Sequence, residues 1–75
     1  MAELTLIGMT TCPNCKMVSK VMTEKKIDHE YVLADRPDGL KIAQEHNVTS
    51  VPVLLVDDTM VIDTVIGIME YINQS

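Results

Sequence analysis

The two cysteines of the chain, Cys12 and Cys15, are separated by only two residues, Pro13 and Asn14. They follow a short apolar run that includes Ile7 and they open a helical pattern. A strand-to-helix turn with this spacing can bring both sulfur atoms within bonding distance. The free N–H groups at the start of the helix stabilise a thiolate, so the pKa of the first thiol falls below its ordinary value. The pattern indicates reversible dithiol–disulfide exchange.

Two other roles for the same pair stay open at this stage. A structural disulfide is disfavoured, because the bond would close too small a loop to remove much entropy from the unfolded chain. The second alternative is a copper- or zinc-binding metallochaperone-like module, since soft thiolates suit Cu(I) and Zn. The stretch from Gly8 to Cys12 is similar to the G-M-T-C-x-x-C loop of copper chaperone domains. Those domains, however, follow the order β-α-β-β-α-β.

The bulk properties predict a single domain that spans residues 1–75. Hydrophobic residues make up 47% of the chain and charged residues 23%, which is typical of a soluble globular protein. No apolar run approaches the roughly 20 residues that a membrane span requires, and no basic leader precedes Glu3. We therefore expect a cytoplasmic monomer that binds no membrane. Nucleic acid is also an unfavourable partner, because the net charge is −5 and the chain has neither Phe nor Trp.

Hydrophobic periodicity predicts seven elements in the order β-α-β-α-β-β-α. Strands are predicted at residues 3–8, 29–33, 51–56 and 59–62, and helices at 13–26, at 38–46 and from 64 onward. A turn at Asp57 and Asp58 joins the last two strands. The early β-α units favour parallel strands through a right-handed crossover, and the late hairpin adds antiparallel strands. The predicted fold class is α/β, a four-stranded mixed sheet with helices on both faces.

The residues expected to point inward from the helices follow from the same periodicity. They are Cys15, Val18 and Met22 on the first helix, Leu40 and Ala43 on the second, and Val65, Ile66, Met69 and Ile72 on the third. Cys15 is thus expected on the core side of its helix, with Cys12 at the helix tip nearer to solvent.

Cys12-Pro13-Asn14-Cys15 after a first strand, with Ser50-Val51-Pro52 before a third, resembles the thioredoxin superfamily. The length and element order are most similar to its glutaredoxin branch, including the small glutaredoxin-like thioredoxins that serve ribonucleotide reductase. The resemblance covers essentially the whole chain. It implies a thioredoxin-like fold and a protein disulfide reductase that needs no metal or prosthetic group.

The resemblance also implies roles for individual residues. Cys12 matches the nucleophilic cysteine and Cys15 the resolving cysteine, and together they would form the redox-active disulfide. Pro52 matches the cis-proline of the family, and Val51 before it would offer backbone groups to an extended substrate. The expected substrate-binding residues are Thr11, Pro13, Asn14, Lys16, Val51, Pro52 and Asp63.

The partners implied are a protein disulfide, such as that of ribonucleotide reductase, and a reductant. Glutaredoxins commonly carry a lysine before the first cysteine, a tyrosine between the cysteines and a Gly-Gly-x-Asp segment. This chain instead has Thr10 and Thr11, Asn14, and Ile-Asp-Thr-Val at 62–65, where Asp63 could still meet an ammonium group. We therefore expect a thioredoxin-reductase-type flavoprotein to be a better reductant than glutathione, which stays as the alternative.

Overall fold

The computed structural model describes residues 3–57 and 59–74, and within them the chain forms four strands and three helices. The strands are β1 (Leu4–Gly8), β2 (Glu30–Leu33), β3 (Val53–Val56) and β4 (Met60–Ile62). The helices are α1 (Pro13–Glu24), α2 (Pro37–Glu45) and α3 (Val65–Asn73). The predicted element order is confirmed, although several elements are one or two residues shorter than predicted. Asp58 of the predicted turn lies outside the described residues.

The four strands form one mixed sheet in the order β2-β1-β3-β4. β1 runs parallel to β2, with α1 as the crossover, and antiparallel to β3, while β3 and β4 form an antiparallel hairpin. Leu6, in the middle of β1, lies opposite Tyr31 on one side and Leu54 on the other. The predicted mixed topology is therefore confirmed.

The two faces of the sheet are covered by different helices, because successive side chains of a strand point to opposite faces. On one face, α1 and α3 pack against alternate residues of β1 and β3, and this core contains Leu4, Leu6, Val18, Met22, Leu54, Val56, Ile68 and Ile72. On the other face, α2 packs against a smaller core of Ile7, Ala43, Val53 and Leu55. The predicted α/β class with helices on both faces is confirmed.

The inward face of α2 differs from the prediction. Leu40 was expected to point inward, but it is 47% exposed, and the buried residues of α2 are Gly39 and Ala43. Small residues at positions i and i+4 let the helix approach the sheet closely, and this orientation turns Leu40 away from the core. The prediction of an inward Leu40 was wrong.

The third helix needs a similar correction. Val65, Met69 and Ile72 lie on its inner side, but Ile66 is 73% exposed and Ile68 is buried instead. Positions 65, 68, 69 and 72 follow the i, i+3, i+4, i+7 spacing of one helical face, from which residue 66 is displaced.

Among the described residues, no helix is long and apolar enough to cross a bilayer.

Candidate active site

The loop that joins β1 to α1 places Cys12 at the N-cap of the helix. The Cys12 N–H donates to the Met9 carbonyl oxygen at 3.1 Å, which closes the turn. Pro13 occupies the first helical turn, where its missing N–H leaves no hydrogen bond unmade. The Cys15 N–H donates to Cys12 Sγ at 3.1 Å. A free backbone donor of the helix terminus is thus aimed at the first sulfur, as predicted.

The two cysteines are joined by a disulfide, with their Cα atoms 5.3 Å apart. Cys15 is 0% exposed and belongs to the inner face of α1, whereas Cys12 is half-buried at the helix tip. The predicted difference in exposure is confirmed. A thiol that approaches from solvent therefore reaches Cys12 before Cys15.

Asp35, which follows β2, holds the loop that precedes Cys12. Its carboxylate accepts from the Thr10 N–H, with oxygen–nitrogen distances of 3.3 and 3.4 Å. The Thr10 side chain, the Thr10 N–H and the nearby charge of Arg36 lower the pKa of the Asp35 carboxyl, against the opposing effect of desolvation. The sequence analysis did not assign Asp35 to the site. The sequence feature that could have identified Asp35 is its position just after β2. The parallel strands β1 and β2 end at the same edge of the sheet, so residues that follow them lie close together.

The segment before β3 borders the same region. The Val51–Pro52 peptide bond is cis, as the resemblance implied, and Pro52 is buried while Val51 is half-buried. Val51 and Met9 help to line a groove of about 220 Å³, here called the apolar groove. Its lining residues, none of them charged, are Met9, Ala34, Leu40, Ala43, Gln44, Val48, Thr49, Ser50 and Val51. The groove therefore extends from Val51, which precedes the cis-proline, to Met9, whose carbonyl oxygen accepts the Cys12 N–H.

The other predicted substrate-binding residues fall in two places. Thr11, Pro13, Asn14 and Lys16 are exposed and surround Cys12 in sequence at the start of α1. Asp63 is exposed just before α3 and lines a separate cavity of about 50 Å³. That cavity shares Val48, Thr49 and Ser50 with the apolar groove, so Asp63 borders a cavity beside the groove rather than the groove itself.

Tyr31 is a neighbour of the cysteines that the sequence analysis missed. A Cβ atom built on Gly8 would lie 2.7 Å from Cys15 Cβ and 2.9 Å from the Tyr31 hydroxyl oxygen. Because Gly8 has no side chain, the phenol and Cys15 approach each other over the end of β1. Burial, followed by the negative charge of Asp35, raises the pKa of the Tyr31 hydroxyl. The pairing of Tyr31 with Leu6 places it on the α1 face, but sequence alone does not give that register.

Nothing in the described structure supports the metallochaperone alternative. Residues 3–57 and 59–74 contain no group of three or more His, Cys, Asp or Glu side chains arranged to hold a metal ion. The element order also differs from the β-α-β-β-α-β order of copper chaperone domains, because α2 follows β2 where those domains have a third strand.

Comparison with known proteins agrees with this geometry. Residues 6–75 match the family model described as "Glutathione S-transferase, N-terminal domain". The crystal structure of wheat glutaredoxin superposes with a TM-score of 0.70 at 18% sequence identity, covering 96% of this chain and 71% of that one. No curated protein matches the sequence. The chain therefore belongs to the family of glutathione S-transferase N-terminal domains, and its fold is glutaredoxin-like.

Proposed function

We propose that this protein is a thiol–disulfide oxidoreductase that reduces protein disulfides. The glutaredoxin-like fold and the Cys12–Cys15 pair support a thiol–disulfide redox role. The observation that carries the proposal is the contrast between the two sulfurs. Cys12 is half-buried and its Sγ accepts a helix-terminal N–H, while its disulfide partner Cys15 is fully buried.

The reaction begins with the reduced dithiol. The Cys12 thiolate attacks one sulfur of the substrate disulfide, which forms a mixed disulfide and releases the other substrate sulfur as a thiolate. The Cys15 thiolate then attacks Cys12 Sγ, and the second substrate sulfur leaves. The substrate has gained two electrons, and the Cys12–Cys15 bond must be reopened by a reductant.

The apolar groove and the cis-proline segment suit a protein substrate in an extended conformation. As the resemblance implies, the half-buried Val51 is proposed to offer backbone groups to the substrate, and the uncharged groove that it lines is proposed to accept an apolar side chain. Thr11, Asn14 and Lys16 are exposed around Cys12 and are proposed to contact the same segment. We extend the proposal to ribonucleotide reductase as a substrate and to the cytoplasm as the location. Both rest on the resemblance and on the reducing conditions that a catalytic dithiol needs.

A thioredoxin-reductase-type flavoprotein is the proposed electron source, although the matched family is named for glutathione. Glutathione carries two carboxylates, which need cationic or backbone partners. The described lining of the apolar groove has no cation, and residues 42–75 contain neither Lys nor Arg. The remaining candidates near the site are Lys16, Arg36 and Lys41, all of them exposed.

A pair of coupled assays tests the proposal, with insulin as the protein disulfide and NADPH oxidation as the readout. We expect faster turnover with thioredoxin reductase than with glutathione plus glutathione reductase, and none with the Cys12→Ser variant. Turnover in neither system would contradict the disulfide reductase function. Turnover with glutathione alone would contradict the electron source and leave the reductase function in place.

A further inference from the structure

The buried sulfur of Cys15 presents an electrostatic problem that the proposed reaction must solve. Each catalytic cycle generates a thiolate at Cys15, first as the attacking group and later as the leaving group. A charge in a site with 0% exposure is strongly disfavoured unless a hydrogen-bond donor faces it. The Cys15 N–H already serves Cys12 Sγ, and within the described residues no hydrogen bond reaches Cys15 Sγ in the disulfide state.

Tyr31 supplies a polar group beside this sulfur. Its hydroxyl oxygen and Cys15 Cβ both lie within 3 Å of the point where a Gly8 side chain would begin. The ring reaches this point from β2 and stays 37% exposed. Because the pKa of the Tyr31 hydroxyl is raised, the group keeps its proton at neutral pH and acts as a donor rather than as a base.

We propose that the Tyr31 hydroxyl donates a hydrogen bond to the Cys15 sulfur whenever that sulfur is a thiolate, and so sets the rate of the resolving step. When a reductant thiolate attacks Cys12 Sγ, a new S–S bond forms there and the Cys12–Cys15 bond breaks. The electron pair stays on Cys15 Sγ, which rotates away from Cys12 and accepts the phenol O–H. In the reverse direction the same bond holds Cys15 as a thiolate until it attacks.

The charged side chains on α1, β2 and α3, the elements around this pair, are all exposed. Asp35 acts on Tyr31 from the end of β2, and Lys16 follows Cys15 on α1. β1 carries no titratable side chain, and α3 contributes the exposed Glu70 and the half-buried Tyr71. All of these residues stay unchanged in the variant Tyr31→Phe, which removes the oxygen atom alone.

The first test measures the pKa of the Cys15 thiol by the ¹³Cβ chemical shift in the Cys12→Ser background, where Cys15 is the single cysteine. Loss of one hydrogen bond to a charged sulfur lowers the thiolate population about tenfold at a given pH below the pKa. We therefore expect Tyr31→Phe to raise the pKa of Cys15 by about one unit. Tyr71→Phe, at the other tyrosine of the chain, is the matched control and should leave the pKa of Cys15 unchanged.

The second test separates the two chemical steps in the protein with both cysteines. Reduced protein mixed with 5,5′-dithiobis(2-nitrobenzoate) releases one chromophore when Cys12 attacks and a second when Cys15 resolves the mixed disulfide. Tyr31→Phe should leave the first phase unchanged and slow the second about threefold, because tenfold less thiolate is partly offset by its higher nucleophilicity. Both variants are first compared with the parent by thermal unfolding.

The inference rests on the proposed function, and the outcomes separate the two. An unchanged pKa of Cys15 with an unchanged second phase would overturn the role of Tyr31 while leaving the reductase function intact. If Tyr31→Phe slowed both phases equally, or if Tyr71→Phe slowed the second phase as much, Tyr31 would act through packing alone. Either result would also overturn the proposed hydrogen bond. A missing first phase in the parent protein would instead remove Cys12 as the nucleophile and with it the proposed function.

Discussion

Two sulfur atoms three residues apart have different surroundings because one belongs to the N-cap of α1 and the other to its buried face. Cys12 Sγ accepts the Cys15 N–H at the helix terminus, where partial positive charge favours a thiolate. Cys15 points into the core beside Val18 and Met22 of the same helix. The two thiols should therefore differ in reactivity even though they share one turn.

Alkylation of the reduced protein near neutral pH should show this difference directly. We expect iodoacetamide to modify Cys12 at least tenfold faster than Cys15, as peptide mapping by mass spectrometry would measure. Cys15→Ser should then accumulate mixed disulfides through Cys12, whereas Cys12→Ser should accumulate none. Equal rates for the two thiols would count against the assignment of Cys12 as the nucleophile.

Asp35 gives a second prediction for single residues, on pH dependence. Its pKa is lowered in the folded protein, so the unfolded chain binds a proton more readily than the folded one as pH falls. The stability that Asp35 contributes is present above its unfolded pKa and is lost as pH falls through its folded pKa. Asp35→Asn should therefore lower the melting temperature at pH 7, and the gap to the parent should shrink toward pH 3.

The matched control for this pH series is Asp28→Asn, an exposed carboxylate between α1 and β2. It makes no hydrogen bond to the loop before Cys12, so its effect on the melting temperature should be smaller at pH 7. A gap between Asp35→Asn and the parent that stays constant from pH 7 to pH 3 would contradict the proposed contribution of the Asp35–Thr10 bonds.

At the scale of elements, the position of α2 depends on Gly39. A Cβ atom at this residue would collide with the backbone carbonyl group of Leu33, at the end of β2. Backbone atoms cannot move aside as a flexible side chain does, so α2 would have to shift away from the sheet. The walls of the apolar groove contributed by Leu40 and Gln44 would shift with it.

Gly39→Ala should consequently destabilise the protein by about 3 kcal/mol, despite the higher helix propensity of alanine. Urea unfolding followed by circular dichroism measures this change. Lys41→Ala, at an exposed position of the same helix, is the control and should change the free energy of unfolding by less than about 0.5 kcal/mol. A neutral or stabilising Gly39→Ala would show that α2 does not approach β2 this closely.

The order and type of the elements could be predicted because each has its own apolar period and its own turn residues. The rotation of a helix about its axis could not, since it depends on which side chains are small enough to meet the sheet. Leu40 and Ile66 were misplaced for this reason. Tyr31 was missed because its approach to Cys15 depends on how β1, α1 and β2 pack together around Gly8. The spacing of residues in the sequence does not predict that packing.

Because the protein is small, each buried core residue contributes a large fraction of its total stability. A chain of this length buries only about 60% of the surface that its unfolded form exposes, so its total stability is a few kcal/mol. The two central strands, β1 and β3, therefore contribute a large share of that stability. Leu54 is 0% exposed in β3 and packs within the core formed with α1 and α3.

Leu54→Ala should cost about 2–5 kcal/mol, enough to leave a measurable unfolded population at room temperature. Ile66→Ala removes an apolar side chain that is mostly exposed and should change stability by less than about 0.5 kcal/mol. Urea titrations of both variants in the oxidised state give the comparison. Similar losses for the two variants would contradict the orientation of α3 described above.

The central place of β1 in the sheet has a consequence for synthesis on the ribosome. β1 pairs on one side with β3, and the Asp57 N–H donates to the Glu3 carbonyl oxygen at 2.8 Å across 54 residues of chain. A growing chain is made at about 5–20 residues per second, so β1 waits for some seconds before residues 53–56 exist. During that interval its inner edge is an unpaired strand edge to which another nascent copy can add. Premature association of nascent chains is therefore the hazard that this strand order creates, and translation speed between β1 and β3 sets how long it lasts.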